Sequence, residues 1–111
     1  PDTIGVPPTG NPNSLRFALG SANPARFREG PAVMRLRLGA NQGPSAARVD
    51  AYDASGRLVR RVWSGTLQPR TEISIRWDGT DGDGRAARSG LYFLRFETAG
   101  QHQVLRLASL R

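Results

Sequence analysis

The sequence predicts an all-β fold, an antiparallel β-sandwich of about seven strands, and two observations favour it. Apolar side chains alternate with polar ones in several short segments, the period of two that buries one face of a strand and leaves the other in water. Turn-forming residues interrupt these segments roughly every 8 to 12 residues, and no segment of useful length has a helical period. A closed barrel shares this strand number and alternation, so it is the alternative architecture.

The N-terminal segment, residues 1–14, is predicted to be an extended linker or docking arm. It is rich in proline and glycine and has almost no apolar periodicity. A tether from an upstream domain is the simpler interpretation. Ile4 and Val6 lie in a stretch that could instead add a short edge strand to a neighbouring molecule, so they are candidate partner contacts. Residues 15–111 are predicted to form the β-sandwich domain.

Two strands are predicted in the first third of the chain, over residues 15–19 and 32–38, because apolar and polar side chains alternate in both. Residues 20–31 interrupt the alternation, and the dipeptide Asn23-Pro24 within them is typical of a turn. The side chains expected to face inward are Leu15, Phe17, Leu19, Met34, Leu36 and Leu38.

The middle of the chain predicts a hairpin. Residues 46–53 alternate, and the following Asp-Ala-Ser-Gly of residues 53–56 suits a type I turn closed by a left-handed residue. Residues 58–63 should therefore run back antiparallel, and residues 65–70 are expected to be a connection. The alternation leaves two registers open for the returning strand, in which the inward pair is either Leu58 and Val62 or Val59 and Trp63.

The segment 73–96 predicts two more strands joined by a loop of Asp, Gly and Thr. Glycines there can supply positive φ, and Asp side chains can cap turn amides. Residues 104–110 predict the last strand, with Leu105 and Leu107 inward. The core side chains expected from the segment 73–96 are Ile73, Ile75, Trp77, Tyr92, Leu94 and Phe96.

Length and composition indicate one domain that needs no cross-link. A chain of 111 residues buries roughly two-thirds of its unfolded surface, and cysteine is absent. No apolar run approaches the roughly 20 residues that span a bilayer, and no signal-peptide pattern is present. The sequence begins with Pro1 rather than Met, so we expect a mature or excised piece of a longer protein.

The formal charge is +7, and all sixteen basic residues are arginine. Clustered arginine is typical of nucleic-acid binding, because neutralised phosphates release counterions. Here the arginines occupy outward positions on separate strands among carboxylates, and no recognition motif is present, so we expect no nucleic-acid partner. Examples are Arg35, Arg37, Arg76 and Arg95, with Asp50, Glu72 and Glu97 among them.

Asp78, Asp81 and Asp83 are weak candidates for a calcium site, because closely spaced carboxylates can converge on a hard cation. The EF-hand pattern fails, since Arg85 stands where a further ligand is required and no Glu follows at the twelfth position. Asp and Gly also form turns without any ion. We therefore predict no metal and no cofactor.

His102 is the only histidine and is expected in a short turn. With no cysteine and no second histidine, a zinc or copper site lacks its usual ligands. The Gly-x-Ser-x-Gly motif of a serine nucleophile is also missing. We therefore predict no catalytic residues and no enzymatic activity.

The two tryptophans are given different roles. Trp77 ends an alternating strand on its apolar face, so core packing accounts for it. Trp63 lies in the strand whose register is open. An exposed Trp63 could contact a partner or stack on a carbohydrate, which makes it a candidate partner contact.

Three motifs, in the order in which they occur along the chain, resemble those of a known domain family. They are VDAYDASGRLVR at 49–60, IRWDGTD at 75–81 and GRAARSGLYF at 84–93. Together they resemble the immunoglobulin-like domain of flagellar hook-capping proteins. They are equally similar to C-terminal domains of secreted bacterial proteins, including the sorting domains read by type IX secretion. Asn23-Pro24 after the first strand and the final LRLASLR resemble the opening and the closing strand of those sorting domains.

The resemblance implies an immunoglobulin-like β-sandwich over about residues 15–111 and an extracellular or cell-surface location in a bacterium. The leading hypothesis is a non-catalytic C-terminal module of a larger secreted protein, serving secretion sorting or surface display. Its partners would be the upstream domain of the same polypeptide and the secretion machinery or neighbouring surface subunits, with Leu110 and Arg111 as contacts. One alternative is a subunit or cap of an extracellular filament that docks through residues 1–14. The other is a carbohydrate-binding accessory module.

Overall fold

The computed structural model describes residues 15–39 and 44–110. The expected linker or docking arm, residues 1–14, lies outside the described residues, as does Arg111. The interpretation of Ile4, Val6 and Arg111 as partner contacts therefore stays a prediction. Within the described ranges no helix forms that is long and apolar enough to cross a membrane.

Eight strands make up the described fold, and they form two sheets. The strands are β1 (Arg16–Leu19), β2 (Ala25–Arg26), β3 (Ala32–Arg37), β4 (Ser45–Asp53), β5 (Leu58–Leu67), β6 (Glu72–Trp77), β7 (Gly90–Thr98) and β8 (Gln101–Leu110). The three-stranded sheet has the order β1-β3-β6, and the five-stranded sheet has the order β2-β8-β7-β4-β5. All pairs are antiparallel except β2 with β8. The predicted β-sandwich is confirmed.

Aromatic side chains join the two sheets across the core. Trp77 is 1% exposed, as predicted, and its ring centroid lies 5.4 Å from that of Tyr92 and 5.2 Å from that of Phe27 in edge-to-face contacts. Phe17 of β1 lies 5.5 Å from Phe96 of β7. Since such pairs stabilise beyond the area that they bury, these contacts hold the sheets together.

The two-residue strand β2 was not predicted. Ala25 and Arg26 pair in parallel with the end of β8, inside the segment 20–31 that the sequence indicates as a break. A strand of two residues is too short to show an alternating pattern. It forms because the distant strand β8 lies beside it, so the sequence of this segment gives no local signal for it. Ala25 is buried, and Phe27 packs against Trp77.

Strand β5 is longer than predicted, so the expectation of a connection over residues 65–70 was wrong for residues 65–67 and is confirmed for residues 68–70. Leu67 belongs to the strand and is fully buried. Gly65 misled the prediction because glycine is usually read as a break, whereas here the Trp63 ring lies over it. A Cβ at Gly65 would lie 2.9 Å from Cζ2 of Trp63, so any larger residue here would require the Trp63 ring to shift.

Two irregularities in the β4–β5 pairing decide the register that the sequence left open. The pairing skips Val62 and Val59, which are therefore bulged. Bulges break the alternation of a strand. As a result Val59, Val62 and Trp63 all pack partly buried against the core, while Leu58 is exposed.

The β7–β8 hairpin is tighter than predicted. Ala99 and Gly100 both have positive φ, 45° and 79°, so two residues suffice to close it. His102 is consequently an exposed strand residue, and the prediction that it lies in a turn was wrong. Leu107 is fully buried and Leu105 packs against the core, which confirms that both face inward.

Candidate interaction surfaces

The terminal strand β8 is built into the five-stranded sheet. It pairs with β7 along its whole length and with β2 at its last two residues. The amide side chain of Asn23 covers the neighbouring part of its outer edge at Arg106 and Ala108. Further upstream, none of the described strands pairs with this edge of β8, although Nε2 of Gln103 donates to the carbonyl of Leu15 at 3.1 Å. Unpaired strand edges are one of the places at which peptides bind to sheets.

Exposed apolar side chains lie at several positions on the outer face of the five-stranded sheet. Since Leu105 and Leu107 face inward, Val104 and Leu110 face outward, and they are 50% and 39% exposed. Leu91 of β7, opposite Ala108, lies on the same face. Leu110 follows Ala108 by two residues and so lies near Leu91, whereas Val104 lies further along β8 beyond Arg106. We call Leu91, Val104 and Leu110 the apolar outer surface.

Charged side chains on the same outer face are paired. Asp50 is buried, and its carboxylate lies between Arg48 and Arg61, at 3.3 and 3.4 Å from their Nε atoms. Glu97 accepts from Arg48 at 2.9 Å and lies 3.8 Å from Arg95. The predicted interleaving of arginine and carboxylates is therefore present on this face, and it neutralises much of the charge there. It does not extend to the three-stranded sheet, where Arg35, Arg37 and Arg76 share an outer face with Glu72.

One end of the sandwich carries two turns of the same construction. In the first, Oδ1 of Asp53 accepts the backbone amides of Ser55 at 2.9 Å and of Arg57 at 3.0 Å. In the second, Oδ1 of Asp81 accepts the amides of Asp83 at 2.9 Å and of Arg85 at 3.0 Å. Each turn has the pattern Asp-x-x-Gly-Arg, with a left-handed glycine in fourth place. We call these the twin turns.

The twin turns lie side by side and line an open cleft of about 650 Å³. The second turn is held beside β5, where the amide of Gly82 donates to the carbonyl of Val59 at 3.0 Å. The Arg60 guanidinium also donates to the carbonyl of Asp81 at 2.6 Å. Arg57 and Arg88 contribute to the lining of the cleft.

Hydrogen bonds lower the pKa of both turn carboxylates below the ordinary value of 3.8. For Asp53 the largest cause is the Ser55 hydroxyl, which donates at 2.6 Å. For Asp81 the backbone amides of Arg85 and Asp83 lower the pKa most. Both carboxylates are therefore charged at neutral pH and engaged in holding backbone.

Two of the three weak calcium candidates, Asp78 and Asp81, hold the loop itself through their carboxylates. Asp78 accepts from the amide and hydroxyl of Thr80, which lowers its pKa, and Asp81 holds the second turn. The amide of Asp83 donates to Asp81. Among the described residues no group of three or more His, Cys, Asp or Glu side chains is placed to hold a metal ion.

The remaining candidates lie apart from one another. Trp63 is half-buried over Gly65 on the edge strand β5, whereas Leu110 ends β8 at the opposite margin of the sheet. Their roles as partner contacts stay predictions. Sequence reasoning missed Val104 and Leu91, although the alternation that turns Leu105 and Leu107 inward already turns Val104 outward. It also missed the twin turns, although the repeated Asp-x-x-Gly-Arg is visible in the sequence.

The comparisons with known proteins agree on the fold. A search of curated proteins finds no match. Among solved structures, dimeric latent PorU from Porphyromonas gingivalis is similar with a TM-score of 0.67 and 22% identity over 85% of this chain. PorZ, an essential surface component of the type IX secretion system of the same organism, has a TM-score of 0.51 and 23% identity over 87% of this chain. At this identity the likeness concerns the fold alone.

The chain spans only a small part of these proteins, 9% of the PorU chain and 11% of the PorZ chain. It corresponds to one domain of each. The family model of the FlgD Ig-like domain matches residues 25–102, which contain β2 to β7, both twin turns and the start of β8. The chain therefore belongs to the FlgD Ig-like domain family.

Proposed function

We propose that this domain is a non-catalytic C-terminal module of a larger secreted bacterial protein and serves secretion sorting or surface display. Membership of the FlgD Ig-like family supports a role in assembly rather than chemistry. The similarity to single domains of PorU and PorZ supports an origin in a longer polypeptide, and the description of PorZ supports a location at the cell surface.

The main support for the proposal is that β8 has one face in the core and one face exposed to solvent. Its inward residues, Leu105 and Leu107, belong to the core, and its outward residues, Val104 and Leu110, are exposed. A receptor that binds the outer side of this strand would thereby recognise only a folded domain. That is a useful property for a sorting signal, because unfolded cargo would not present the apolar outer surface.

The proposal is tested by export of a reporter fused ahead of Leu15, in a bacterium that has type IX secretion. We expect reporter outside the cell with the complete domain and none when residues 103–111 are removed. The double variant Val104→Gln and Leu110→Gln should lose export while keeping its melting temperature, because both changes lie on the surface.

Two controls separate recognition from folding. Trp77→Ala keeps the whole of β8 but weakens the core, so its export reports the effect of instability alone. Leu58→Gln removes an exposed apolar side chain from β5, away from β8. Export of the double variant at the level of Leu58→Gln, or export of a folded truncated fusion, would contradict the proposal.

A further inference from the structure

The outer face of the three-stranded sheet carries four exposed arginines, Arg16, Arg35, Arg37 and Arg76, which we call the arginine face. Arg16 of β1 lies directly opposite Arg37 of β3. Arg35 lies two residues before Arg37 on the same face of β3. Arg76 of β6 lies opposite Val33, which is two residues before Arg35 on that face. The four guanidinium groups thus form a diagonal band across the sheet.

The arginine face is not explained by the stability of the fold. On the five-stranded sheet Asp50 and Glu97 neutralise the neighbouring arginines. On the arginine face the one carboxylate of the described residues is Glu72, opposite Arg37, and it forms no ion pair within the part of the chain that the structure describes. Like charges directly opposite each other, as at Arg16 and Arg37, destabilise an antiparallel pair.

We propose that the arginine face binds a linear anionic polysaccharide, one that carries carboxylate, sulfate or phosphate groups. Charge complementarity is the first argument, because guanidinium groups bind such groups through two parallel hydrogen bonds. Spacing is the second. Side chains on one sheet face lie about 5 Å apart across strands and about 7 Å apart along a strand, so successive groups of one extended polymer meet successive arginines.

The small side chains between the arginines favour a polysaccharide over a nucleic acid, a lipid surface or a protein. They are Ala18, Val33 and Ser74. The described part of this face offers no aromatic ring on which a nucleic-acid base could stack. It offers no large apolar side chain to insert among lipids, and no aromatic anchor of the kind that dominates protein interfaces. A flat face of arginines among small residues suits a hydrophilic, extended chain.

This binding site is separate from the apolar outer surface and independent of the proposed role in secretion. The two sites lie on opposite outer faces of the sandwich, since they belong to different sheets. A domain that uses both could contact a protein on one side and the anionic polysaccharide coat of a cell on the other.

The test measures binding of the whole chain to polygalacturonate and to dextran sulfate, with neutral dextran as the uncharged control. The triple variant Arg35→Gln, Arg37→Gln and Arg76→Gln should bind the anionic polymers on the order of 100-fold more weakly. The matched control changes Arg57, Arg85 and Arg106 to Gln, which lowers the net charge equally but leaves the arginine face intact. It should bind within about threefold of wild type.

A variant that binds more tightly is needed as well, because weaker binding of the triple variant would also result from unfolding. Glu72→Gln removes the carboxylate from the face and should tighten binding about fivefold, with a slope of log affinity against log salt that is unchanged or steeper. Equal losses in the triple variant and its control would overturn the proposal, because binding would follow net charge alone. So would absence of binding by wild type, or equal affinity for duplex DNA or for vesicles of anionic lipid.

Discussion

Asn23 pairs with Ala108 as a neighbouring strand would. The amide of Ala108 donates to Oδ1 of Asn23 at 3.0 Å, and Nδ2 of Asn23 donates to the carbonyl of Arg106 at 3.2 Å. One side chain thus satisfies a donor and an acceptor on the edge of β8, directly before the two residues that pair with β2. Open edges invite unwanted pairing, and a side-chain amide is a compact way to cover one.

We predict that Asn23→Ala lowers the free energy of unfolding by about 1 to 2 kcal/mol, because two hydrogen bonds to the β8 backbone are lost. Asn23→Asp keeps the acceptor for Ala108 but cannot donate to the carbonyl of Arg106, so it should lie between wild type and Asn23→Ala. Chemical denaturation measures all three. Equal stability of wild type and Asn23→Ala would show that water replaces the amide at no cost.

The importance of Asn23 could not be predicted from the sequence, although its position in a turn could. The turn follows from the local preference of an Asn-Pro dipeptide. The partner of its side chain lies 85 residues away, so the contact exists only after both sheets have formed. The same reason applies to β2, which has no local pattern of its own.

Most of the core was predictable, because alternation is a local property. Phe17, Met34 and Trp77 all lie where the period of two places them. The register of β5 was not predictable, since the bulges at Val59 and Val62 interrupt the alternation on which the prediction depends. The candidate surfaces were predictable only in part, because exposure at a sheet margin depends on which strands lie beside it.

We predict that Trp77→Ala costs about 3 to 5 kcal/mol, the range for truncating a large aromatic residue in a core. Besides the contacts with Tyr92 and Phe27, the substitution removes a hydrogen bond from Nε1 to the carbonyl of Thr80 at 2.9 Å. Trp63→Ala is the matched control and should cost less than half as much, because Trp63 is only half-buried on an edge strand. Denaturant titration that gave Trp77→Ala a loss under about 1 kcal/mol would contradict the packing.

Two different effects favour glycine at Gly79 and Gly84: a positive φ at both positions, and a steric clash with Phe27 at Gly79 alone. Both have positive φ, 78° and 83°, so alanine at either should cost about 1 to 2 kcal/mol in backbone strain. A Cβ at Gly79 would also lie 2.5 Å from the Phe27 ring, whereas a Cβ at Gly84 meets nothing within 4 Å. Because Phe27 packs on Trp77, we expect Gly79→Ala to cost at least about 1 kcal/mol more than Gly84→Ala. Similar melting temperatures for the two variants would show that Phe27 moves aside freely.

The twin turns should make stability depend on pH in the acid range. The folded state holds the pKa of Asp53 and Asp81 below 3.8 by hydrogen bonds to the charged form. Their contribution is therefore fully present above the unfolded pKa and is lost as the pH falls through the folded values. Melting temperature should fall below about pH 4. The melting temperature of the double variant Asp53→Asn and Asp81→Asn should fall less steeply. Parallel curves for the double variant and wild type would contradict this origin.

Leu107 and Leu110 of β8 are expected to have different roles, Leu107 in the stability of the fold and Leu110 in recognition during export. Leu107 is fully buried, so Leu107→Ala should lower the free energy of unfolding by about 2 to 5 kcal/mol, a large part of the stability of a small domain. Leu110 is 39% exposed, and Leu110→Ala should change stability by less than about 1 kcal/mol. In the reporter assay at a temperature where both variants are folded, Leu107→Ala should be exported like wild type and Leu110→Ala should be exported less. The reverse order of export would mean that the cell responds to the stability of the domain and not to the outer side of its last strand.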